Sequence, residues 1–359
     1  MTHISVPSAP SAPLTMAELY KRLSKLGLSK KYLRSTILPD WWTDEVDQTP
    51  GVFTQGALYL SRRLNLDIDS LLIEETPRFI TSGQPKFKTI DGTCLAELRA
   101  SESIASCVAE TVAAACSQPY QDITQLSVSQ IRQQILSDRS SVDLVGLLQF
   151  CWSQGIPVVH VAQYPSILQR FHGMVTTFQG RPVIVISRRD RSPAWLLFII
   201  AHELGHILCN HLSTDGLIVD QEIQLTSDDA EENEANQAAA ELLLGRSGIS
   251  YDVWNKFLKG EVLATKAQQF AQESQNDPGV IAVNIAWNRA QRAKTKRDSG
   301  IAWATGMKAL KILEPNANAP TQINQYLFQS IDWDLLREDS QEYLRKMLGP
   351  FAKATAKER

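Results

Sequence analysis

The chain is organised around one stretch, Ala201-His202-Glu203-Leu204-Gly205-His206-Ile207. His202 and His206 are one helical turn apart, which places both imidazoles on one helix face, within reach of a single metal ion. Glu203 projects roughly 100° round the helix from His202. A carboxylate there can contact water at the metal without being a ligand itself. The H-E-x-x-H pattern therefore predicts two zinc ligands and the general base of a hydrolase.

The residues around this motif are almost wholly apolar. Residues 195–200 before it and 207–208 after it predict a helix that is buried in the protein core. A buried polar side chain without a partner costs on the order of 2–7 kcal/mol, and the motif would bury three of them. One shared metal ion satisfies all three. The alternative, two surface histidines on an ordinary helix, does not fit the apolar flanks.

Composition excludes several classes of protein. With 359 residues and 43% hydrophobic content the chain can bury a large core, and its net charge of −3 does not favour bulk attraction to nucleic acid or anionic membranes. No apolar run approaches the ~20 residues of a membrane span, and the N-terminus lacks signal-peptide features. Five scattered cysteines suit reduced thiols. We therefore expect a cytoplasmic protein without a membrane partner.

The sequence divides into five predicted segments. Residues 1–14 are rich in proline, serine and alanine and are predicted to form a disordered tail. Helical patterns follow in an N-terminal module, residues 15–75, and turn residues mark a linker over residues 76–92. We assign the metal motif to a domain of residues 93–260, and the remaining residues, 261–359, to a C-terminal helical region.

The N-terminal module begins with a helix-capping pattern, Thr15 followed by Glu18. Its short helices carry a set of basic residues, which are Lys21, Arg22, Lys25, Lys30, Lys31 and Arg34. These residues fit either a helix-turn-helix reader of DNA or a small bundle whose charges face solvent. The paired Trp41 and Trp42 favour packing over base contacts, which Arg, Asn and Gln usually make. Direct DNA binding is therefore the less favoured interpretation.

Extended segments precede the metal motif. Runs rich in β-branched residues predict strands at 157–161, 174–178 and 182–186, and the short turn at 179–181 predicts an antiparallel hairpin. Ser192, followed by proline, fits the N-cap of the motif helix. The predicted fold class is α+β: mostly helical, with a small antiparallel or mixed three-stranded sheet packed on a zincin-type active-site helix.

A catalytic zinc ion normally has three protein ligands, so one more is needed. The metzincin pattern is excluded, because the positions that must hold glycine and histidine hold other residues. A better source is a second helix, predicted over residues 228–244. Glu232 is in line with its apolar face, whereas Glu231 and Glu234 lie toward the flanks. A carboxylate facing the core needs a counter-charge, which zinc supplies, and the other two glutamates stay open as alternatives.

These segments together resemble the ImmA/IrrE metallopeptidases. The resemblance rests on the H-E-x-x-H motif, on the run from Glu232 to Asn236 and on the preceding strands, and it covers about residues 142–290. It implies that Glu232, four residues before the asparagine, is the third ligand. It also implies an intracellular zinc peptidase that cuts helix-turn-helix repressors in a stress, prophage or mobile-element response, often beside or fused to such a module.

We therefore expect a zinc-dependent endopeptidase that acts on a regulatory protein. The predicted metal ligands are His202, His206 and Glu232, and the predicted general base is Glu203. His172 and Tyr251 are candidates for stabilising the oxyanion, and the sequence does not select between them. The alternative is a non-catalytic DNA- or partner-binding regulator with a structural or sensory zinc site. Glu203 separates the two, because a structural site has no use for an unligated carboxylate.

Overall fold

In a computed structural model of the chain, the described residues are 14–49, 51–80, 86–88, 95–212, 216–221, 223, 229–245, 251, 253 and 258–349. The predicted tail, except residue 14, and much of the predicted linker lie outside these residues. The helices are α1 (Met16–Ser24), α2 (Lys30–Tyr32), α3 (Asp44–Asp47), α4 (Phe53–Leu64), α5 (Ile68–Ile73), α6 (Leu95–Ala114), α7 (Val128–Leu136), α8 (Leu144–Ser153), α9 (Pro193–Leu208), α10 (Ala230–Leu244), α11 (Gly260–Ser274), α12 (Pro278–Gln291), α13 (Lys296–Leu313), α14 (Ala319–Ser330) and α15 (Glu338–Leu348).

The strands form one mixed sheet. They are β1 (Lys86–Lys88), β2 (Val158–His160), β3 (Gly173–Phe178), β4 (Arg181–Ile186) and β5 (Leu217–Asp220). Their order in the sheet is β1-β5-β3-β4-β2, in which β3 is antiparallel to both β4 and β5, and the outer strands are parallel to their neighbours. The predicted hairpin is β3–β4, whose two turn residues, Gln179 and Gly180, both have positive φ, as a type I′ turn requires.

The predicted α+β class is confirmed, but the predicted number of three strands is wrong. The sheet has five strands, because β1 and β5 were not recognised in the sequence. β1 is only three residues long and reads Lys-Phe-Lys, and β5 is only four residues long and follows the motif helix closely. Strands this short carry almost no periodicity, so only their pairing with β3 and with each other reveals them.

Alternating side chains give the sheet two buried faces. Met174 and Val185 belong to a core shared with α1, α4, α6 and α15, whereas Val175 and Ile184 belong to a core shared with α9 and with α12 to α14. Successive side chains of a strand point to opposite faces, which explains this division. The motif helix α9 therefore packs directly on one face of the sheet.

The N-terminal helices pack against the C-terminal end of the chain. Arg63 in α4 donates to the carbonyl of Ile37, Tyr343 in α15 donates its hydroxyl proton to the carbonyl of Arg63, and Lys346 donates to the carbonyl of Leu38. Each of these carbonyls is buried, so the bonds replace water. The described residues of the N-terminal module thus share one core with α15, and the domain boundaries given above stay predictions.

Basic residues of the N-terminal helices bind acidic neighbours. Arg34 lies 2.8 Å from Asp44 and 2.9 Å from Asp47, and Lys30 contacts the same two carboxylates. Trp42 is buried and donates its indole N–H to Asp47. These intramolecular contacts support the bundle interpretation. No helix in the described part of the chain is long and apolar enough to cross a lipid bilayer.

Candidate metal centre

The local sequence builds α9 as expected. Ser192 is the N-cap and its hydroxyl accepts a hydrogen bond from the Trp195 N–H, with Pro193 at the first helical position. The helix is buried over nearly its whole length, including the motif residues. His202 and His206 are each fully buried, and their Nε2 atoms lie 3.1 Å apart. Both rings therefore direct the same nitrogen toward one point.

The other nitrogen of each ring is held by a hydrogen bond. His202 Nδ1–H donates to Asn236 Oδ1 at 3.0 Å, and His206 Nδ1 lies 2.9 Å from His211 Nδ1. His211 Nε2 in turn lies 2.9 Å from a carboxylate oxygen of Glu234. The Glu234 carboxylate accepts a hydrogen bond from His211 Nε2–H, which leaves His211 Nδ1 free to accept a hydrogen bond from His206 Nδ1–H. Both motif histidines are thus set in the tautomer whose Nε2 lone pair is available to a metal.

Helix α10 brings Glu232 to the same point. One carboxylate oxygen of Glu232 lies 3.5 Å from His202 Nε2 and the other lies 3.4 Å from His206 Nε2. The approach of the two helices depends on Gly205, because a Cβ there would lie 2.8 Å from the carbonyl oxygen of Ala235. Glycine in the motif therefore allows the close contact that positions Glu232.

The two alternative glutamates lie elsewhere. Glu234 pairs with His211 and holds it, as described above. Glu231 pairs with Lys86, 2.6 Å away, and lies 3.5 Å from Lys88, both on β1. Lys88 also contacts Asp229, and its Nζ lies 3.9 Å from Glu232. Strand β1 thus places positive charge against the acidic start of α10.

One further carboxylate, that of Asp220, belongs to the cluster and was missed in the sequence. Asp220 ends β5, and its Oδ2 lies 3.3 Å from His202 Nε2 and 3.5 Å from His206 Nε2. Alternation along β5 explains the direction of the side chain, since Ile218, two residues earlier, packs in the core shared with α9. An aspartate directly after the apolar run 217–219 was the available signal, but only the sheet shows where it points.

Glu203 lies against β3 beside this cluster. The side chain is fully buried, and neither carboxylate oxygen has a hydrogen-bond partner among the described residues. It packs on Gly173, where an added Cβ would lie 2.7 Å from Glu203 Cδ and 2.9 Å from Cγ. Glycine at the start of β3 therefore makes room for the glutamate.

The charges of the cluster shift the pKa values of its members. Burial alone would lower the pKa of His202, but the carboxylates of Asp220 and Glu232 outweigh it and raise that pKa to about 9. Burial raises the pKa of Glu203 well above its usual range, and the charges of Asp220 and Glu232 add to this effect. Three carboxylates buried together need positive charge, as a divalent cation would supply.

The donor set fits a zinc ion. Zinc binds histidine nitrogens and carboxylate oxygens at about 2.0–2.2 Å, so donors at the corners of a tetrahedron lie about 3.3–3.6 Å apart. The two Nε2 atoms lie 3.1 Å apart, and the carboxylate oxygens of Asp220 and Glu232 lie 3.3 to 3.5 Å from them, with Glu232 turning one oxygen to each histidine. The group of His202, His206, Asp220 and Glu232 is buried throughout, so it is a candidate metal centre on geometry as well as chemistry.

An aromatic cavity of about 170 Å³ opens beside the cluster. Its wall includes several large side chains from α9, α12 and α13, among them Trp195, Phe198, Trp287, Trp303 and Met307. His172 also lines it, and the His172 backbone N–H donates to the carbonyl of Asp220. The cavity therefore borders His172, whose backbone is hydrogen-bonded to that of Asp220.

The two candidates for oxyanion stabilisation lie in different surroundings. His172 Nε2 contacts the guanidinium of Arg188, and its Nδ1 accepts from the Ile223 N–H at 3.3 Å. Burial and the neighbouring Arg188 charge lower the pKa of His172 to about 3. The hydroxyl of Tyr251 accepts a hydrogen bond from Asn276. His172 is thus the candidate that lies next to the cluster.

This α+β domain thus carries H-E-x-x-H on a helix beneath a small mixed sheet, with acidic side chains added from a strand and a second helix. Residues 153–273 match the model of a peptidase family described as the IrrE N-terminal-like domain. The matched residues are about a third of the chain, and the match supports the predicted resemblance to ImmA/IrrE proteins. The matched region contains all the cluster residues but not the N-terminal module, whose helix-turn-helix character stays a prediction. No curated protein and no solved structure gave a significant match.

Proposed function

We propose that the protein is a zinc-dependent endopeptidase in which His202, His206 and Glu232 are metal ligands and Glu203 is the general base. The observation that carries this proposal is the convergence of two Nε2 atoms and a carboxylate on one buried point, with an unligated glutamate beside it. The peptidase family match supports the same class of reaction. A zinc ion at this point supplies Lewis-acid chemistry, since it polarises a peptide carbonyl and acidifies water.

Glu203 performs the proton transfers in this proposal. Its carboxylate accepts a proton from the attacking water and returns it to the nitrogen of the departing amine. Burial raises the pKa of Glu203 above its usual range, which makes its carboxylate a stronger proton acceptor. Much of α9 around Glu203 packs in an apolar core.

The neighbouring hydrogen bonds keep the donors in place. Asn236 holds His202, and the pair of His211 and Glu234 holds His206. Partners of this kind fix the ring orientation and strengthen the metal-binding nitrogen, and their loss typically costs about 10–100-fold in metal affinity. The chain therefore supplies a complete set of supporting contacts.

The substrate in this proposal is a protein with a large apolar side chain near the scissile bond. The aromatic cavity bordered by His172 supplies the complementary surface. By resemblance to the family, the substrate is a helix-turn-helix repressor in a stress, prophage or mobile-element response, and the site of action is the cytoplasm. DNA binding by the N-terminal helices is not part of this proposal.

A regulator with a structural metal site is the second candidate. Asp220 favours it, because four protein ligands fill a tetrahedral site completely. Glu203 argues against a structural site. Burial of a carboxylate with no partner among the described residues costs free energy, and catalysis gives a reason for that cost whereas a structural site does not.

The test compares the wild type with Glu203→Gln, which keeps the size of the side chain and removes the base. Both chains are expressed with the repressor encoded nearest the gene, and new protein N-termini in the cells are identified by mass spectrometry. We expect new termini, including termini in the repressor, only with the wild type. Equal zinc content in the two purified chains is the control. Identical termini in both strains, with zinc bound, would count against the peptidase function.

A further inference from the structure

Asp220 stands in the position of a metal ligand rather than of a supporting residue. A supporting residue contacts the outer nitrogen of a ligand histidine, and in this cluster those nitrogens are taken by Asn236 and His211. The Asp220 carboxylate instead faces the inner nitrogens, at distances that match the edges of a zinc tetrahedron. Its distances from the two Nε2 atoms are close to those of Glu232, but a single Asp220 oxygen faces both imidazoles, whereas Glu232 turns one oxygen to each.

Among the described residues, the groups that contact this carboxylate are the two imidazoles, which are themselves candidate metal ligands. Asp220 is fully buried, and neither of its oxygens has a hydrogen-bond donor among the described residues. A buried carboxylate without compensation is expensive, and here it also lies near two others, Glu203 and Glu232. A divalent cation that binds Asp220 directly removes this cost.

The backbone of Asp220 is held on both sides. In β5 it pairs with Lys88 of β1 and with Gly173 of β3, the residue on which Glu203 packs. The Asp220 side chain is thus brought between the imidazoles and the general base. In a zinc peptidase with three protein ligands, the water to be activated occupies that place.

We propose that Asp220 is a fourth protein ligand, which closes the metal centre until its carboxylate withdraws and admits water or substrate. This inference rests on the metal site of the proposed function and deepens it, since it makes the described state a latent one. Withdrawal of the carboxylate, with Glu203 and the other three ligands unmoved, opens the centre.

The test replaces zinc by Co²⁺ in the full chain and uses acetohydroxamate as the probe of an open coordination position. We expect the wild-type Co²⁺ protein to show the intense visible absorption of four-coordinate cobalt and no change on adding the probe. Asp220→Ala and the isosteric Asp220→Asn should each bind the probe with a spectral shift. Their zinc affinity, measured by competition with a chelator, should fall at least about 10-fold. Glu231→Gln is the matched control, because this neighbouring carboxylate faces β1, and it should behave as the wild type.

Two results would overturn the proposal. One is a shift in the spectrum of the wild-type Co²⁺ protein when acetohydroxamate is added. This measurement uses the wild type alone, so it does not depend on whether a variant folds. The other is unchanged zinc affinity in a folded Asp220→Asn protein. These readouts report coordination, so they stand apart from cleavage. If the Asp220 variants bind the probe but no Glu203-dependent peptide cleavage is found in any of them, the peptidase function fails while Asp220 remains a ligand.

Discussion

Replacing Gly173 by alanine should disable Glu203 without removing the metal. The new Cβ would lie 2.7 Å from Glu203 Cδ and closer still to one carboxylate oxygen. Carbon atoms in contact prefer about 3.5–4.0 Å, so the carboxyl group must move by about 1 Å. A misplacement of this size can cost roughly 100-fold in turnover. Overpacking of the buried contact should also cost about 1–3 kcal/mol of stability.

The assay is Glu203-dependent cleavage of one peptide, selected from a library digest and followed for both chains at equal zinc content. Because the three atoms nearest the new Cβ all belong to Glu203, zinc affinity should stay at the wild-type value. Gly300→Ala is the matched control: a Cβ there meets no atom of the described residues within 4 Å, so cleavage should be unchanged. Full turnover in a folded, zinc-loaded Gly173→Ala protein would refute the idea that Gly173 positions the base.

Three further predictions concern other buried residues. Asn236→Ala should lower zinc affinity about 10–100-fold in chelator competition, because the His202 ring loses its orienting acceptor; an unchanged affinity would contradict this role. Gly205→Ala should cost about 1–3 kcal/mol in urea unfolding, since the added methyl group meets the α10 backbone at Ala235; unchanged stability would show that the helices can separate freely. Burial lowers the pKa of His160 in the folded protein to about 4, whereas in the unfolded chain this pKa is about 6.5. As the pH falls below about 6.5, the unfolded chain therefore binds a proton that the folded protein does not bind, and the folded state loses stability. The wild type should thus lose about 2 kcal/mol between pH 7 and pH 5 relative to His160→Gln, and parallel stability curves for the two proteins would count against this.

The sequence predicted the motif helix because its position depends on local spacing. Ser192 caps α9, the hairpin of β3 and β4 closes with a two-residue turn, and the apolar flanks of the motif are buried. Each of these features is decided by residues within a few positions of one another. The position of Glu232 also followed from the period of α10, and the structure places it at the imidazoles.

Contacts between distant segments could not be predicted in this way. β1 and β5 are too short to carry a pattern, and they are ordered in the sheet by pairing with neighbours far along the chain. Asp220 was not predicted as a site residue. Its side chain reaches the cluster because β5 pairs with β3. Helical spacing directs His211 away from the face of the motif histidines, yet its side chain holds His206 because the chain leaves the helix after Leu208.

The sequence by itself determined the local chemistry: which helix carries two imidazoles and a glutamate on adjacent faces, since helical geometry repeats within a single turn. Only the tertiary structure decided how many carboxylates face those imidazoles and which residues hold them. Such contacts join β5, α9 and α10, and their positions depend on how buried surfaces pack across the whole chain rather than on any neighbouring residue.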